Sequence, residues 1–308
     1  MMFNVLIIGA GKIAAEFDSP DDKNVLTHAH AYKKHADFNL LGFYDVNIEK
    51  AKLAAKKWSC GCFENINDMK NIDVASICTP DNCHLDSLKR AAGLNPRLIF
   101  LEKPITSDPG EVSEIMTIAK DVPIAVNYSR RYLKEFRDLA ARISSGEFEN
   151  FFTGVGYYGK GFLHNGSHMT DLLRMLIGEI ESVEKISEVL DFYDNDPSIN
   201  ANVFFQNGSK FSLQAVNCDN FTIFELDLLF KTARIRILDS GFKIEIYKVA
   251  DDEIFAGHRK LHRTEEYSTK PKDAMFNAVA NISNFLNDKE KLLCDLADGC
   301  EAIKYADV

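Results

Sequence analysis

Along the first 125 residues, short apolar runs alternate with stretches whose apolar positions recur at helical spacing, the pattern of a parallel sheet covered by helices. The runs predict strands at 3–8, 38–44, 60–63, 74–78, 97–101 and 123–128, with helices at 28–36, 47–57, 82–92 and 109–120. Asp81 and Asp108 stand where the last two of these helices would be N-capped. The crossovers are short enough for right-handed βαβ units. Only the first is lengthened, by a polar break at Asp18 to Asn24 within an inserted loop over 18–27; a solvated surface loop and a flap near a ligand are both open readings.

After Tyr128 the pattern changes. A helix is predicted from about Tyr132 to Ser144, ending at Ser145-Gly146, and strands then predominate at 148–157, 183–192, 199–206, 209–217, 222–230, 233–238 and 242–249. Asn207-Gly208, between two alternating runs, signals a hairpin whose tight primed turn needs positive φ at both residues. Residues 273–287 and 295–306 read as closing helices. The expectation is an α/β domain with a parallel sheet over 1–123, followed over 124–308 by an α+β domain with a mostly antiparallel sheet.

With 308 residues and 46% hydrophobic content, the chain can bury two cores of ordinary size, which excludes disorder. A net charge of −10 without a long Lys/Arg block argues against nucleic acid and anionic membranes as partners. No stretch approaches the ~18 apolar residues of a membrane helix, and the N-terminus enters a strand without a basic segment and cleavage site, so a cytoplasmic protein is expected. The seven cysteines, at 60, 62, 78, 83, 218, 294 and 300, are odd in number and scattered, which fits reduced thiols better than a disulfide framework. Cys60-Gly61-Cys62 lacks zinc-knuckle spacing and reads as a strand end.

Chemistry enters at Gly9-Ala10-Gly11-Lys12-Ile13-Ala14, directly after the run Phe3 to Ile8. Glycines at 9 and 11 permit a tight strand-to-helix turn and close backbone approach to a pyrophosphate, and the small Ala14 lets the following helix pack on the sheet. The second apolar run ends at Asp45, where a carboxylate would accept hydrogen bonds from an adenosine ribose diol and repel a 2′-phosphate. Gly9, Gly11, Lys12, Ile13 and Asp45 are thus expected at a dinucleotide, NAD rather than NADP. The fifth strand ends in Leu101-Glu102-Lys103-Pro104. Ligands of an open parallel sheet bind beyond the carboxyl ends of its strands, so Lys103 is aimed at the crevice, placed to polarise a substrate oxygen.

Glu102-Lys103-Pro104, following the glycine turn and Cys78-Thr79-Pro80 with His84, resembles the Gfo/Idh/MocA family of NAD(P)-dependent oxidoreductases. Ser129-Arg130-Arg131-Tyr132 is similar to the family's Asn-Arg-Arg-Phe segment, Gly146-Glu147-Phe148 to its Gly-Glu-Ile step into the second domain, and Asp298-Gly299 to its C-terminal Asp-Gly helix entry. The resemblance implies a Rossmann domain joined to an open-faced sheet domain that often forms the oligomer interface, hence a homo-oligomer, dimer or tetramer. It also implies hydride transfer at a secondary alcohol carbon of a sugar, nucleotide sugar or cyclitol, with Thr79, Pro80, His84, Glu102 and Lys103 at the cofactor.

The family's second half-site is typically an Asp-x-x-x-His pair. Here the segment reads His164-Asn165-Gly166-Ser167-His168-Met169-Thr170-Asp171, so His168 matches the histidine and His164 stands where the aspartate usually is. His168 is the candidate base for the hydroxyl proton, with Lys103 stabilising the developing alkoxide. His164 would share its helical face if one helix covers both positions and could hold a substrate hydroxyl or phosphate. Asp171 reads as an orienter of His168 or a partner of Arg174; Arg131 could bind a phosphate or carboxylate, or merely be solvated or paired. Two imidazoles at this spacing raise the question of a metal, but Gly166 weakens a rigid pair and no Glu follows the first His, so none is expected. His28 and His30 begin the first-crossover helix; His28 resembles the family's histidine after the glycine turn, and a cap or structural hydrogen bond is as open a reading as substrate contact.

The leading expectation is a cytoplasmic NAD-dependent dehydrogenase acting on CH–OH donors. Two alternatives come from other classes: an enzyme that oxidises a sugar transiently to enable elimination or hydrolysis while recycling its NAD, and a non-catalytic NAD-binding regulator. The presence of both Lys103 and His168 argues for catalysis.

Overall fold

The computed structural model describes residues 2–306. They fall into two compact units, one running to Tyr132 and taking in Lys272–Glu301, the other formed by Leu133–Pro271 with the chain from Ala302.

In the first unit, β1 (Phe3–Ile8), α1 (His28–Lys34), β2 (Phe38–Tyr44), α2 (Ile48–Trp58), β3 (Gly61–Phe63), β4 (Val74–Ile77), α3 (His84–Ala92), β5 (Leu98–Leu101), α4 (Val112–Ile118) and β6 (Ile124–Val126) follow one another. Among the described residues the strands form a six-stranded sheet in the order β3-β2-β1-β4-β5-β6, every pairing parallel. Such a sheet is covered on both faces, so its strands are apolar throughout: Val5, Leu6, Ile7, Val74 and Leu98–Leu101 are fully buried. The strand order reverses between β1 and β4, which opens a crevice at their carboxyl ends. β1 and β2 have the predicted bounds.

The turn after β1 departs from a regular helix. Lys12–Glu16 form a single π-helical turn, with Ala14 buried as expected, and the chain then leaves the sheet before α1. The inserted loop is anchored by Asp18, whose buried carboxylate accepts the backbone N–H of Leu26 and Thr27, the Thr27 hydroxyl and a ring nitrogen of His30. Residues 20–24 are exposed, so the solvated reading fits the loop's tip, while its base is locked to α1. Asp108 caps the turn leading to α4 through Gly110 N, 2.9 Å away. Asp81 instead lies inside a 3-10 turn ahead of α3.

The second unit contains α5 (Lys134–Ser144), β7 (Phe151–Tyr158), α6 (Ser167–Leu176), β8 (Ile180–Val189), β9 (Ser198–Phe205), β10 (Lys210–Ala215), β11 (Phe224–Phe230), β12 (Ala233–Leu238), β13 (Lys243–Asp251) and β14 (Arg259–Ser268). Among the described residues these strands make an eight-stranded sheet ordered β14-β13-β12-β11-β7-β10-β9-β8, antiparallel except for β7 with β10. The mostly antiparallel expectation is met. One face is the core: Phe211, Leu213, Leu228, Ile235 and Ile237 are fully buried, as are Met169, Leu172 and Leu173 of α6. A side chain at Gly156 of β7 would collide with the Phe211 ring at 2.8 Å and crowd the Met169 methyl, so a glycine there lets helix and sheet close up.

Two expectations are corrected. The hairpin at Asn207-Gly208 is present, but only Gly208 has positive φ, +82°; Asn207 turns its side chain onto Ser209 N instead, which holds the turn without a primed geometry. β14 lies outside the predicted strands, because Arg259–Ser268 is mostly polar, with Leu261 and Tyr267 its apolar and aromatic members, as an edge strand exposed to water can be. Two closing helices, α7 (Ala274–Leu286) and α8 (Leu296–Ile303), lie close to the predicted spans.

Candidate active site

A cavity of about 690 Å³ opens at the carboxyl ends of β1, β2 and β4, lined by the turn Gly9-Ala10-Gly11-Lys12-Ile13, by Phe17, Tyr44, Asp45, Val46, Asn47 and Lys50, and by Cys78-Thr79-Pro80 with Cys83, Asp86, Ser87 and Arg90. Its size suits a nucleotide-sized ligand. Gly9 has φ +95°, and a Cβ there would meet the Cys78–Thr79 backbone at 2.8–2.9 Å, whereas one at Gly11 would meet nothing within 4 Å. The first glycine thus lets the turn lie against the end of β4, and the second leaves its surface clear for a diphosphate. Asp45 accepts Ala10 N at 2.8 Å through one oxygen and Asn47 N at 2.7 Å through the other, so its carboxylate is held rigidly at the cavity wall. A dinucleotide fits these residues: open backbone for the pyrophosphate, a fixed carboxylate for the ribose diol and a mixed apolar wall for the base. Burial first, and then the neighbouring Glu102 charge, push the Cys78 thiol up, which disfavours the thiolate form.

Beyond β5 the Glu102-Lys103-Pro104 motif rests on a buried network. His28, fully buried at the start of α1, places one ring nitrogen 2.8 Å from Ser76 Oγ and the other 2.7 Å from Glu102 Oε1. Asn127 Nδ2 donates to the same oxygen at 2.6 Å, and Lys103 N reaches Glu102 Oε2 at 3.3 Å. Burial pushes the Glu102 carboxyl up, but the bonds from His28 and Asn127 and the Lys103 charge outweigh it and hold the group below its ordinary value. Glu102 is therefore an internal anchor beneath Lys103, outside the set of residues lining the cavity. His28 takes the structural of its two readings. His84 is likewise internal: its ring nitrogens lie 2.8 Å from Pro104 O and 3.0 Å from Thr79 O, which ties the chain after β4 to the chain after β5. Burial, ahead of the opposing pull of those carbonyls, lowers its pKa. Asn127 Oδ1 is buried without a hydrogen-bond partner, an acceptor left open at the carboxyl end of β6.

Arg131 pairs with Asp298 at 3.0 Å, so the Arg-Arg and Asp-Gly motifs meet in the first unit as a clamp. Gly299 permits it, because a Cβ there would sit 2.7 Å from Ile105 and 3.0 Å from Val126.

In the second unit, Phe162–Gly166 form a π-helical turn and α6 starts at Ser167, so His164 and His168 belong to different helical geometries and a plain four-residue α-helical register does not relate them. His168 is partly exposed in the first turn of α6; Asp171, one turn on, is buried. Arg174 bonds Glu179 at 2.8 and 2.9 Å. His164 places Nδ1 2.6 Å from Asp196 Oδ2 and stacks on Tyr193, ring centroids 3.9 Å apart and planes 14° from parallel. Sequence reading missed Asp196 and Tyr193, which sit in the connection from β8 to β9 with no local signal linking them to residue 164. It also missed Phe17, Lys50 and Arg90 on the cavity wall, whose placement follows from the fold alone. No cluster of three or more metal-ligating side chains occurs among the described residues.

Residues 3–128 match the family model described as the GFO_IDH_MocA oxidoreductase family with an NAD-binding Rossmann fold. The chain is 28% identical over 144 residues to inositol 2-dehydrogenase of Rhizobium meliloti (strain 1021), covering 46% of this chain and 40% of that protein. It is 27% identical over 154 residues to glucose-6-phosphate 3-dehydrogenase of Bacillus subtilis (strain 168), covering 48% and 40%. The matched segment thus spans about 40% of the length of these relatives. Among solved structures, UDP-N-acetylglucosamine 3-dehydrogenase from Acidithiobacillus ferrooxidans superposes with a TM-score of 0.75 at 18% identity, covering 99% of this chain and 95% of that one. Levoglucosan dehydrogenase, in complex with NADH and levoglucosan, gives 0.77 at 17% identity, covering 98% and 95%. The fold of both units is therefore that of these dehydrogenases.

Proposed function

We propose that this chain, a member of the Gfo/Idh/MocA family through residues 3–128, is an NAD-dependent oxidoreductase acting on a secondary alcohol of a sugar, nucleotide sugar or cyclitol. The observation that carries the reading is the cavity at the sheet's switch point, where an open glycine turn faces a rigidly held Asp45. The dehydrogenase names of the relatives supply the substrate class. When bound, NAD supplies the acceptor for the hydrogen and electron pair that leave the alcohol carbon.

The protein's own residues do the rest. Gly9, Gly11, Lys12 and Ile13 seat the pyrophosphate, and Asp45 holds the adenosine ribose. Lys103, on the Glu102 anchor, stabilises the oxygen as it becomes an alkoxide. An imidazole of the 164–168 segment accepts the hydroxyl proton, His168 by the family pattern, with His164 and Asp171 beside the substrate. Arg131, paired with Asp298, acts through the shape of the chain after β6.

Two further statements belong to the proposal. The uncovered face of the eight-stranded sheet joins copies of the chain into a dimer or tetramer. The free cysteines fit a cytoplasmic location, and no helix among the described residues is long and apolar enough to cross a membrane. A turnover screen with NAD and NADP against nucleotide sugars, free sugars and cyclitols tests the function. Cofactor reduction by one class is the expected result; NAD binding with no turnover across the panel, or product without net NADH, removes this reading.

A further inference from the structure

We infer that His164 and Asp196 form a histidine–carboxylate dyad in which His164 Nε2 receives the substrate's hydroxyl proton and Asp196 is the positioning residue. The inference rests on the dehydrogenase reading above and moves the proton acceptor from His168 to the other imidazole.

A hydrogen bond to an anchored carboxylate and a ring stack fix this imidazole. Asp196 is 7% exposed, and its carboxylate is held by the backbone of the segment it serves: Oδ1 accepts Leu163 N at 2.8 Å and Oδ2 accepts His164 N at 3.0 Å. The same Oδ2 lies 2.6 Å from His164 Nδ1. Tyr193 covers one face of the imidazole in a near-parallel stack. The approach is built into the chain, because Gly161, at φ +81°, is the residue on which a Cβ would fall 2.0 Å from Asp196 Oδ2.

A carboxylate only accepts, so Nδ1 must carry the hydrogen, and in the neutral ring Nε2 carries the lone pair. A base whose far nitrogen is fixed by a third group is the arrangement that proton abstraction needs. The ring keeps 20% of its side-chain surface exposed. Among the charged groups of the β8–β9 connection, Asp191 accepts Lys160 N at 2.6 Å and Ser198 Oγ at 3.2 Å, while Lys160 Nζ lies 5.0 Å over the Phe192 ring. A second carboxylate thus braces the start of the turn that carries His164.

The sequence gains a meaning here: where the family pattern has an aspartate, this chain has a histidine, and a carboxylate returns from 32 residues away. In the step, the hydroxyl O–H bond breaks and its proton goes to Nε2. The C–H electron pair leaves with its hydrogen to the NAD of the proposed function, the carbonyl forms, and the imidazolium is stabilised by the Asp196 charge.

Nitrogen-15 NMR of histidine-labelled protein without cofactor, with His164 assigned by its loss in His164→Gln, tests the dyad directly. Neutral His164 is expected as the Nδ1–H tautomer, changed in Asp196→Asn; an Nε2–H tautomer in the parent overturns the inference. With a substrate from the screen, Asp196→Asn and His164→Gln should each lower kcat by ~10²-fold or more and remove its basic rise with pH, with KM changed only a few-fold. His168→Gln should keep that pH limb. The reverse result, or an Asp196→Asn enzyme with the parent's kcat and pH profile, overturns the assignment to His164. If no alcohol is oxidised, the dehydrogenase reading fails and the inferred proton step with it, while the tautomer still reports whether the pair is built as described.

Discussion

Gly9 and Gly11 look equivalent in the motif but carry different physical loads. At Gly9 the positive φ and the 2.8 Å approach to Cys78 leave no room for a methyl group, so Gly9→Ala should cost on the order of 1–3 kcal/mol and lower Tm. At Gly11 nothing lies within 4 Å of that methyl, so Gly11→Ala should change folding stability by no more than about 0.5 kcal/mol, leaving Tm close to the parent's, yet weaken NAD binding tenfold or more. Thermal unfolding and cofactor titration of the two variants separate these roles; equal losses of Tm would cancel the distinction. Asp45 is pinned through both oxygens, so a 2′-phosphate would meet a carboxylate that cannot turn away. At ~4 Å such repulsion amounts to ~1–4 kcal/mol, and NAD should bind at least ~10-fold more tightly than NADP, a preference narrowed in Asp45→Ala. NADP bound as tightly by the parent would place Asp45 away from the ribose. Lys103→Ala should lose ~10²-fold or more of turnover while Tm and NAD affinity stay close to the parent's, because the Glu102–His28–Asn127 anchor remains. A folded variant with parental turnover would exclude Lys103 from the chemistry.

At the scale of elements, the edge of the second sheet is held by charge. Glu245 on β13 has a side chain only 5% exposed and bonds Lys243 at 2.9 Å, Arg236 at 3.4 Å, Arg263 of β14 at 3.2 Å and the Tyr247 hydroxyl at 2.8 Å. The Lys243 bond leads, with Tyr247 and the nearby positive charges, in pulling its carboxyl down to about 2 against the opposing effect of burial. Because the folded value lies below the unfolded one, this contribution is complete above the usual carboxylate range and is lost as pH falls towards 2. Glu245→Gln should therefore cost on the order of 1–3 kcal/mol at neutral pH, and the gap in Tm should close as pH is lowered from ~4.5 to about 2. Thermal unfolding of both proteins across that range measures it; a gap unchanged at the acid end would assign the loss to packing. β14 also docks on α5 through Arg142, which bonds Glu265 at 2.7 and 2.9 Å and Glu147 of the following turn at 2.7 and 2.8 Å. These bonds explain why a mostly polar segment forms a strand that hydrophobic periodicity does not reveal.

For the molecule as a whole, what was legible in the sequence was what repeats locally. The buried runs of β1 and β2 gave their bounds, the glycine turn and Asp45 announced the cavity, and the strand-rich pattern after Tyr128 announced the second sheet. What could not be read depends on distant partners: Glu102 with His28, 74 residues apart, and His164 with Asp196, 32 apart. Neither the π-helical turns at Lys12–Glu16 and Phe162–Gly166 nor the edge strand leaves an apolar period. The same alternation that marks the inner face of the second sheet also leaves an outer one. Opposite the buried Phe224, Leu226 and Leu228 stand Glu225, Asp227 and Leu229 of β11, paired in register with Tyr157, Val155 and Thr153 of β7. Tyr157 is 41% exposed and Leu229 37%, set beside the Arg234–Asp227 ion pair. An aromatic and aliphatic centre with charged surroundings is the composition of a protein–protein interface, and a face of this breadth can supply the ~800 Å² per partner of a standard one. Light scattering coupled to size-exclusion chromatography should therefore report a dimer or tetramer at micromolar concentration. Tyr157→Glu with Leu229→Lys should shift it to monomer while leaving NAD affinity unchanged, since both residues lie outside the cavity wall. A parent that runs as a monomer, or a double variant with the parent's mass, would remove this face as the interface.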